Sequence, residues 1–184
     1  EAGISEEKLE FVKILKNVKR GRIKEYAEKY PSATYIERVN GTANPIWDIK
    51  ADLAFPCATQ NEILDMDANN LIRNGIKYIG EGANMPCSLE AESIFINNGI
   101  LVAPAKAANA GGVAVSGLEM AQNSARLSWS KEKVDQELQR IMKGIYKNIS
   151  EAAETYSDKN NFIDGANIAG FMKVARAMIA QGYV

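Results

Sequence analysis

The spacing of apolar residues predicts helices at the start of the chain. Leu9, Val12 and Leu15 follow one another at helical intervals. Ser5 precedes them, and serine is a residue type that caps helix N-termini. A second stretch with helical spacing, residues 23–30, ends before a proline. We therefore expect two helices in the first 30 residues.

The last third of the chain shows helical spacing alone. Three apolar stripes occupy residues 115–121, 134–149 and 168–179, and Ser130 stands where a cap for the second would lie. No strand-like run interrupts these stripes. This part of the chain is therefore predicted to be helical.

The intervening segment alternates between strand-like and helix-like runs. Short apolar runs bounded by Gly, Pro or Asn predict strands, and longer stretches between the last three of them predict helices. The predicted strands are Ala33–Ile36, Ala51–Phe55, Ile76–Ile79 and Ile100–Val102, and the predicted helices are Asp67–Asn74 and Leu89–Asn98. Such alternation is typical of a parallel sheet, because the crossover between parallel strands must travel back over one face. The pattern predicts an α/β fold with a mostly parallel sheet flanked by helices and followed by a helical C-terminal segment.

Composition narrows the possible partners. With 184 residues the chain can bury one sizeable core. Its net charge of −1 provides no positive field for nucleic acid or an anionic membrane surface, and no apolar stretch approaches the roughly 20 residues needed to cross a bilayer. The first residues do not show the basic and then apolar segments of a signal peptide, and they resemble an internal part of a protein. We therefore expect the N-terminus to be truncated.

The titratable residues limit the chemistry. The chain has no histidine, which excludes catalytic devices built on that side chain. Cys57 and Cys87 lack the spacing of a zinc site or a redox pair. We expect both to be reduced and buried as small apolar residues, and we predict no metal site.

Polar residues follow each of the last three predicted strands. Because the carboxyl ends of parallel strands meet at one edge of a sheet, the loops at 56–62, 80–86 and 104–112 could face a common crevice. The first loop is crowded with hydrogen-bonding groups, although a turn with Thr59 or Asn61 bonded to local backbone explains it equally well.

The second and third loops each allow two interpretations. Gly80–Met85 begins like the dinucleotide fingerprint GxGxxG but has Met85 at the third glycine, so Asn84 facing a ligand is the better interpretation. The third loop leads into a helix whose backbone N–H groups could bind an anion. Alternatively, its glycines and alanines allow close packing, and Ser116 bonds to a helix carbonyl.

Four longer motifs carry a resemblance to a known family. They are PCATQNE at Pro56–Glu62, EGANMP at Glu81–Pro86, AKAANAGGVAVSGLEMAQN at Ala105–Asn123 and DGANIAGF at Asp164–Phe171. In this order and spacing they resemble the hexameric glutamate dehydrogenases of the small bacterial type, over essentially the whole chain.

The resemblance implies a domain organisation. Residues 1–129 would form a Rossmann-like coenzyme-binding domain that lacks its first β-α-β unit, and residues 130–184 would form helices packed on it. The family's catalytic lysines and aspartate lie in another domain, so we expect no catalytic residue here and no activity from this chain alone. A missing β-α-β unit would leave a sheet face or edge uncovered, which predicts self-association or poor stability.

The resemblance also assigns ligands. The family interconverts glutamate and 2-oxoglutarate plus ammonia with NAD or NADP, as a cytoplasmic hexamer. Coenzyme contacts would come from Ala58, Thr59, Gln60, Asn61, Asn84 and Asn109, and substrate contacts from Val113 and Ser116. Two alternatives remain open: a non-catalytic nucleotide-binding or structural fragment, and a dehydrogenase of leucine, valine or phenylalanine. The Ser116 hydroxyl, a polar partner for a substrate carboxylate, argues against the latter.

Overall fold

The computed structural model describes residues 3–39 and 41–182, which belong to two compact units divided at residue 40. In the first unit, helix α1 spans Glu6–Lys13 and continues into a π-helical turn at Ile14–Val18. Helix α2 spans Lys24–Lys29. The Ser5 side chain accepts a hydrogen bond from the Lys8 N–H, so the predicted cap is confirmed.

The strand predicted at Ala33–Ile36 is wrong. These residues have no strand pairing with any described residue, and Tyr35 and Ile36 are exposed. A β-prone run becomes a strand only when a neighbouring strand bonds its backbone and one of its faces is buried. This segment has neither, so its residues remain irregular.

The second unit contains a three-stranded parallel sheet. Strands β1 (Leu53–Ala54), β2 (Tyr78–Gly80) and β3 (Leu101–Ala103) lie side by side in the order β1-β2-β3. Helix α3 (Asp65–Arg73) connects β1 to β2, and α4 (Leu89–Asn97) connects β2 to β3. The predicted α/β architecture is confirmed.

The core lies between one face of the sheet and helices α3 and α4. Its members are apolar residues from the strands, both helices and the intervening turns. They are Ala54, Ile63, Ala68, Leu71, Ile76, Ile79, Cys87, Ala91, Phe95 and Val102. Burying this face fixes the strands, and the strands fix the starting points of the loops that follow them.

Four helices follow β3 in this unit. They are α5 (Ala105–Ala108), α6 (Ala110–Ala125), α7 (Lys131–Tyr156) and α8 (Phe162–Gln181). Ser130 accepts a hydrogen bond from the Lys133 N–H at the start of α7, which confirms the second predicted cap. Among residues 3–39 and 41–182, no helix has the length and apolar character needed to span a membrane. The division at residues 129 and 130 stays a prediction.

The opposite face of the sheet is largely exposed. Leu53 of β1 pairs in register with Tyr78 of β2, and both side chains are exposed, as is Phe55 just beyond β1. Parallel sheets are ordinarily covered on both faces. An apolar row on an uncovered sheet face favours contact with another molecule.

We expect the purified chain to self-associate through this face, and Leu53→Lys to reduce the association because a charge on this apolar face would lose its hydration in the contact. Light scattering coupled to size-exclusion chromatography, over a range of concentrations, measures the mass. Leu127→Lys is the matched control, since Leu127 is also exposed but lies outside the sheet. A monomer at every concentration would contradict the prediction.

Candidate active-site cleft

Three segments at the carboxyl ends of the strands line an open cleft of about 630 Å³. Loops follow β1 and β2, but the segment after β3, which the sequence analysis expected to be a loop, forms α5 and the start of α6. The three segments meet at the edge of the sheet expected from the sequence. The lining residues are Cys57, Ala58, Thr59, Gln60, Gly82, Ala83, Asn84, Asn109 and Val113. Six of the eight residues predicted to contact ligands are therefore brought together.

Backbone hydrogen bonds hold the first two loops side by side. The Pro56 carbonyl accepts from the N–H groups of Gly82 (3.1 Å) and Ala83 (3.0 Å). Farther along, the Asn61 N–H donates to the Met85 carbonyl at 3.0 Å. Asn61 and Met85 both adopt positive φ angles, 52° and 49°. These paired left-handed residues turn the chain so that the two loops run alongside each other.

The close approach also explains a glycine. A Cβ atom on Gly82 would overlap the Cys57 sulfur, so only glycine fits without displacing that side chain. Cys57 itself is exposed and lines the cleft, and the expectation that it is buried is wrong. Strand β1 ends at Ala54, so Cys57 lies in a loop at the rim of the cleft rather than in the strand.

Two asparagine side chains meet across the cleft. The Asn109 Nδ2 donates to the Asn84 Oδ1 at 2.7 Å and to the Ala83 carbonyl at 3.2 Å. Both amide hydrogens of Asn109 are thus engaged. The Asn84 Nδ2 and the Asn109 Oδ1 have no other partner among residues 3–39 and 41–182, which leaves one donor and one acceptor side by side for a ligand.

The remaining two predicted site residues lie outside the lining. Asn61 is exposed at its left-handed position. The Ser116 hydroxyl donates to the Gly112 carbonyl at 3.3 Å, which is the simpler of the two interpretations of this serine. Ser116 lies one turn beyond Val113, whose side chain is 72% exposed. The ligand roles of all eight residues stay predictions.

Two buried carboxylates support the cleft, and the sequence analysis did not identify either of them. The Glu62 carboxylate accepts from the Ala58 N–H at 2.9 Å and so holds the first loop. The Glu81 carboxylate, only 1% exposed, accepts from the N–H groups of Ala105 (2.7 Å) and Cys87 (3.3 Å). For Glu81, the available hint was a charged residue placed just after a predicted strand.

The two thiols differ in their environments. Burial raises the pKa of the Cys87 thiol far above its usual range, and the negative charge of Glu81 raises it further. Since the thiolate is the reactive form, Cys87 is expected to be inert.

We expect a chromogenic thiol reagent at pH 8 to modify Cys57 quickly, and Cys87 only after unfolding in urea. Absorbance of the released product measures both phases. The Cys57→Ser variant serves as the control, because it should lose the fast phase and keep the slow one. Two equally fast thiols in the native chain would contradict the assignment.

The half-buried Glu92 lies close to the same region. Burial raises the pKa of its carboxyl group, the charge of Glu81 raises it further, and Lys106 partly offsets both. A carboxyl whose pKa is raised on folding stabilises the folded state at pH values below its unfolded pKa, and this stabilisation is lost as the pH rises through the folded pKa. Folding therefore loses this contribution as the pH rises and the Glu92 carboxyl group ionises.

Comparison with known proteins places the chain in a family. The model of the Glutamate/Leucine/Phenylalanine/Valine dehydrogenase family matches residues 1–182. Together, the parallel sheet, the cleft beyond its strands and this match define the class, and the chain belongs to this dehydrogenase family.

Individual relatives narrow the resemblance to glutamate dehydrogenases. The chain is 54% identical over 180 residues to the NAD(P)-specific glutamate dehydrogenase of Xylanibacter ruminicola, covering 98% of this chain and 39% of that protein. It is 49% identical to the NADP-specific glutamate dehydrogenase of Giardia intestinalis, covering 99% and 40%. The chain therefore spans about two fifths of the length of these relatives.

Solved structures agree with the sequence comparison. A crystal structure of Plasmodium falciparum glutamate dehydrogenase matches with a TM-score of 0.90 at 46% identity, covering 99% of this chain and 38% of that one. Glutamate dehydrogenase 2 of the same organism matches with a TM-score of 0.89 at 47% identity, covering 98% and 38%. The family resemblance inferred from the four motifs is confirmed.

Proposed function

We propose that this chain is the coenzyme-binding part of a glutamate dehydrogenase that interconverts glutamate and 2-oxoglutarate plus ammonia with NADP or NAD. The observation that carries the proposal is the meeting of two polar loops and the junction of α5 and α6 in one cleft at the carboxyl ends of parallel strands. The names of the two relatives described above support the substrate and the coenzyme.

The cleft fits the nicotinamide end of such a coenzyme. It is lined by uncharged side chains, and the Asn84 Nδ2 and Asn109 Oδ1 offer a donor and an acceptor to the amide or ribose hydroxyls of that group. The coenzyme supplies the hydride chemistry, and the chain's own residues supply orientation. The same cleft is lined by Ala58, Thr59 and Gln60. The Asn61 side chain would have to adopt another rotamer to reach it.

The role of this chain is therefore to hold reactants at short range rather than to transfer protons. We assign no catalytic residue in this chain. The proton-transferring groups that the resemblance implies lie in another domain. The purified chain is expected to show no glutamate oxidation when NADPH formation is followed by absorbance. Turnover at the level of a complete glutamate dehydrogenase would refute this.

A direct test of the coenzyme site is titration of the chain with NADP and with NAD by calorimetry. Saturable binding that is lost in Asn84→Ala supports the proposal, because this variant removes the ligand-facing amide and its bond to Asn109. Asn97→Ala is the matched control, since Asn97 is exposed at the end of α4 away from the cleft. No binding to either coenzyme would leave the structural, non-catalytic alternative.

A second candidate is a dehydrogenase of leucine, valine or phenylalanine, which the family also includes. The exposed apolar side chain of Val113 favours it, as does the engagement of the Ser116 hydroxyl with a helix carbonyl. For glutamate, that hydroxyl must turn towards the substrate carboxylate. With coenzyme present, tighter binding of 2-oxoglutarate than of 2-oxoisocaproate, lost in Ser116→Ala, favours the glutamate enzyme, and the reverse order favours the second candidate.

The assembly and location of the parent protein are also part of this proposal. We infer a homo-oligomer in the cytoplasm, with a hexamer as the form that the resemblance implies.

A further inference from the structure

Glu81 occupies a central position beneath the cleft. It directly follows β2, and its own N–H donates to the Ala103 carbonyl at the end of β3. Its carboxylate accepts from the Ala105 N–H at 2.7 Å and from the Cys87 N–H at 3.3 Å. Within residues 3–39 and 41–182, no Lys or Arg forms an ion pair with it. A buried carboxylate that accepts from backbone N–H groups stays in place because each N–H would otherwise lose its partner.

Both donors belong to segments that carry a cleft asparagine. Cys87 lies three residues after Asn84, in the loop that follows β2. Ala105 is the first residue of α5, and Asn109 caps the other end of this single helical turn. One carboxylate thus fixes the end of one loop and the start of the next, and the two asparagine side chains meet directly above.

We propose that Glu81 is a positioning residue that holds the Asn84 and Asn109 amides against each other. Its ligand-binding consequence rests on the proposed function, whereas its geometric consequence does not. A carboxylate suits this position because it is an acceptor only, with an oxygen for each donor. Glutamine has a single acceptor oxygen and would place its own N–H₂ group against one of the two backbone N–H groups.

The competing explanation is that Glu81 merely stabilises the fold, and Asp67 provides the matched control for it. Asp67 is also fully buried, and its carboxylate also accepts from two backbone N–H groups, those of Asn44 (2.6 Å) and Leu64 (3.0 Å). None of these three residues lines the cleft. Glu81→Gln and Asp67→Asn therefore remove equivalent interactions, one beneath the cleft and one away from it.

A second variant removes only one hydrogen bond. Ala105→Pro deletes the N–H that donates to Glu81, and proline is well tolerated at the first position of a helix. The preceding Pro104 has φ −69° and ψ 148°, the extended conformation that a following proline requires. This variant leaves the Glu81 side chain chemically unaltered, and because the ring Cδ stands where the N–H hydrogen was, it pushes the carboxylate away from its 2.7 Å contact with residue 105.

The experiment is two-dimensional NMR of the ¹⁵N-labelled chain, with the Asn84 and Asn109 side-chain amide signals assigned from their alanine variants. Thermal unfolding of each variant sets a temperature at which it is fully folded. We expect Glu81→Gln and Ala105→Pro to shift and broaden both pairs of amide signals, and Asp67→Asn to leave them unchanged. Unchanged amide signals in folded Ala105→Pro and Glu81→Gln would overturn the proposal, as would an equal disturbance in Asp67→Asn.

Titration with NADPH separates this proposal from the proposed function. We expect the affinity to fall about tenfold in Glu81→Gln and Ala105→Pro, the scale typical of residues that orient a binding group, and to stay unchanged in Asp67→Asn. If the unaltered chain does not bind NADPH but the amide signals respond as expected, the coenzyme assignment fails and the positioning role stands. If NADPH binds and both cleft variants bind it as tightly as the unaltered chain, the positioning role fails.

Discussion

Replacing Gly165 with alanine is expected to lower the free energy of unfolding by about 3 kcal/mol, the upper part of the range for overpacking a tightly packed site. Gly165 lies near the start of α8, where this helix crosses α7. A Cβ atom there would overlap the carbonyl oxygen of Ile149 and lie 2.9 Å from the Cβ atom of Ala153. Because the carbonyl is part of the α7 backbone, the two helices would have to move apart.

Gly170→Ala is the matched control for this substitution. Gly170 lies in the same helix, and a Cβ atom there would meet nothing within 4 Å. Alanine should therefore leave stability unchanged or raise it by up to about 1 kcal/mol, through its higher helix propensity. Urea denaturation followed by circular dichroism measures both variants. A loss at position 165 no larger than that at position 170 would show that the helices do not cross this closely.

Replacing Phe95 with alanine is expected to lower the free energy of unfolding by about 3–5 kcal/mol. Phe95 is fully buried on α4 and is the largest side chain in the core beneath the sheet. Its removal takes away buried apolar surface and leaves a cavity that the surrounding strands cannot close.

Leu89→Ala, at an exposed position on the same helix, should change stability by less than about 0.5 kcal/mol, as is usual for surface sites. The same denaturation measurement applies to both variants. If Phe95→Ala were also nearly neutral, α4 would not cover the sheet in the way described.

The helices of this chain could be predicted because local sequence determines them. The side chains of Ser5 and Ser130 accept hydrogen bonds from the N–H groups of Lys8 and Lys133, the third residues of α1 and α7, and such caps depend only on residues within one turn. The strands were predicted less accurately than the helices. Ile76–Ile79 and Ala33–Ile36 are both β-prone, yet only the first has a neighbouring strand and a buried face. Local sequence does not contain that difference.

The position of the candidate site followed from topology, whereas its internal geometry did not. Once three strands were predicted to be parallel, the loops after them had to meet at one edge of the sheet. The hydrogen bond between Asn84 and Asn109 joins residues 25 positions apart, and the motif at Gly80–Met85 gave no indication of it. The exposure of Cys57 was also missed, because a cysteine in an apolar context is buried by default.

The amino-acid sequence by itself determined most of the helices, the alternation that requires a parallel sheet and, through four motifs, the family. Tertiary structure alone decided that Glu81 is buried, that it joins two loops, and that Ser116 donates to its own helix rather than into the cleft. The physical reason is that capping and periodicity act within a few residues along the chain. Burial and hydrogen bonding between loops depend on which distant segments the packed core brings together.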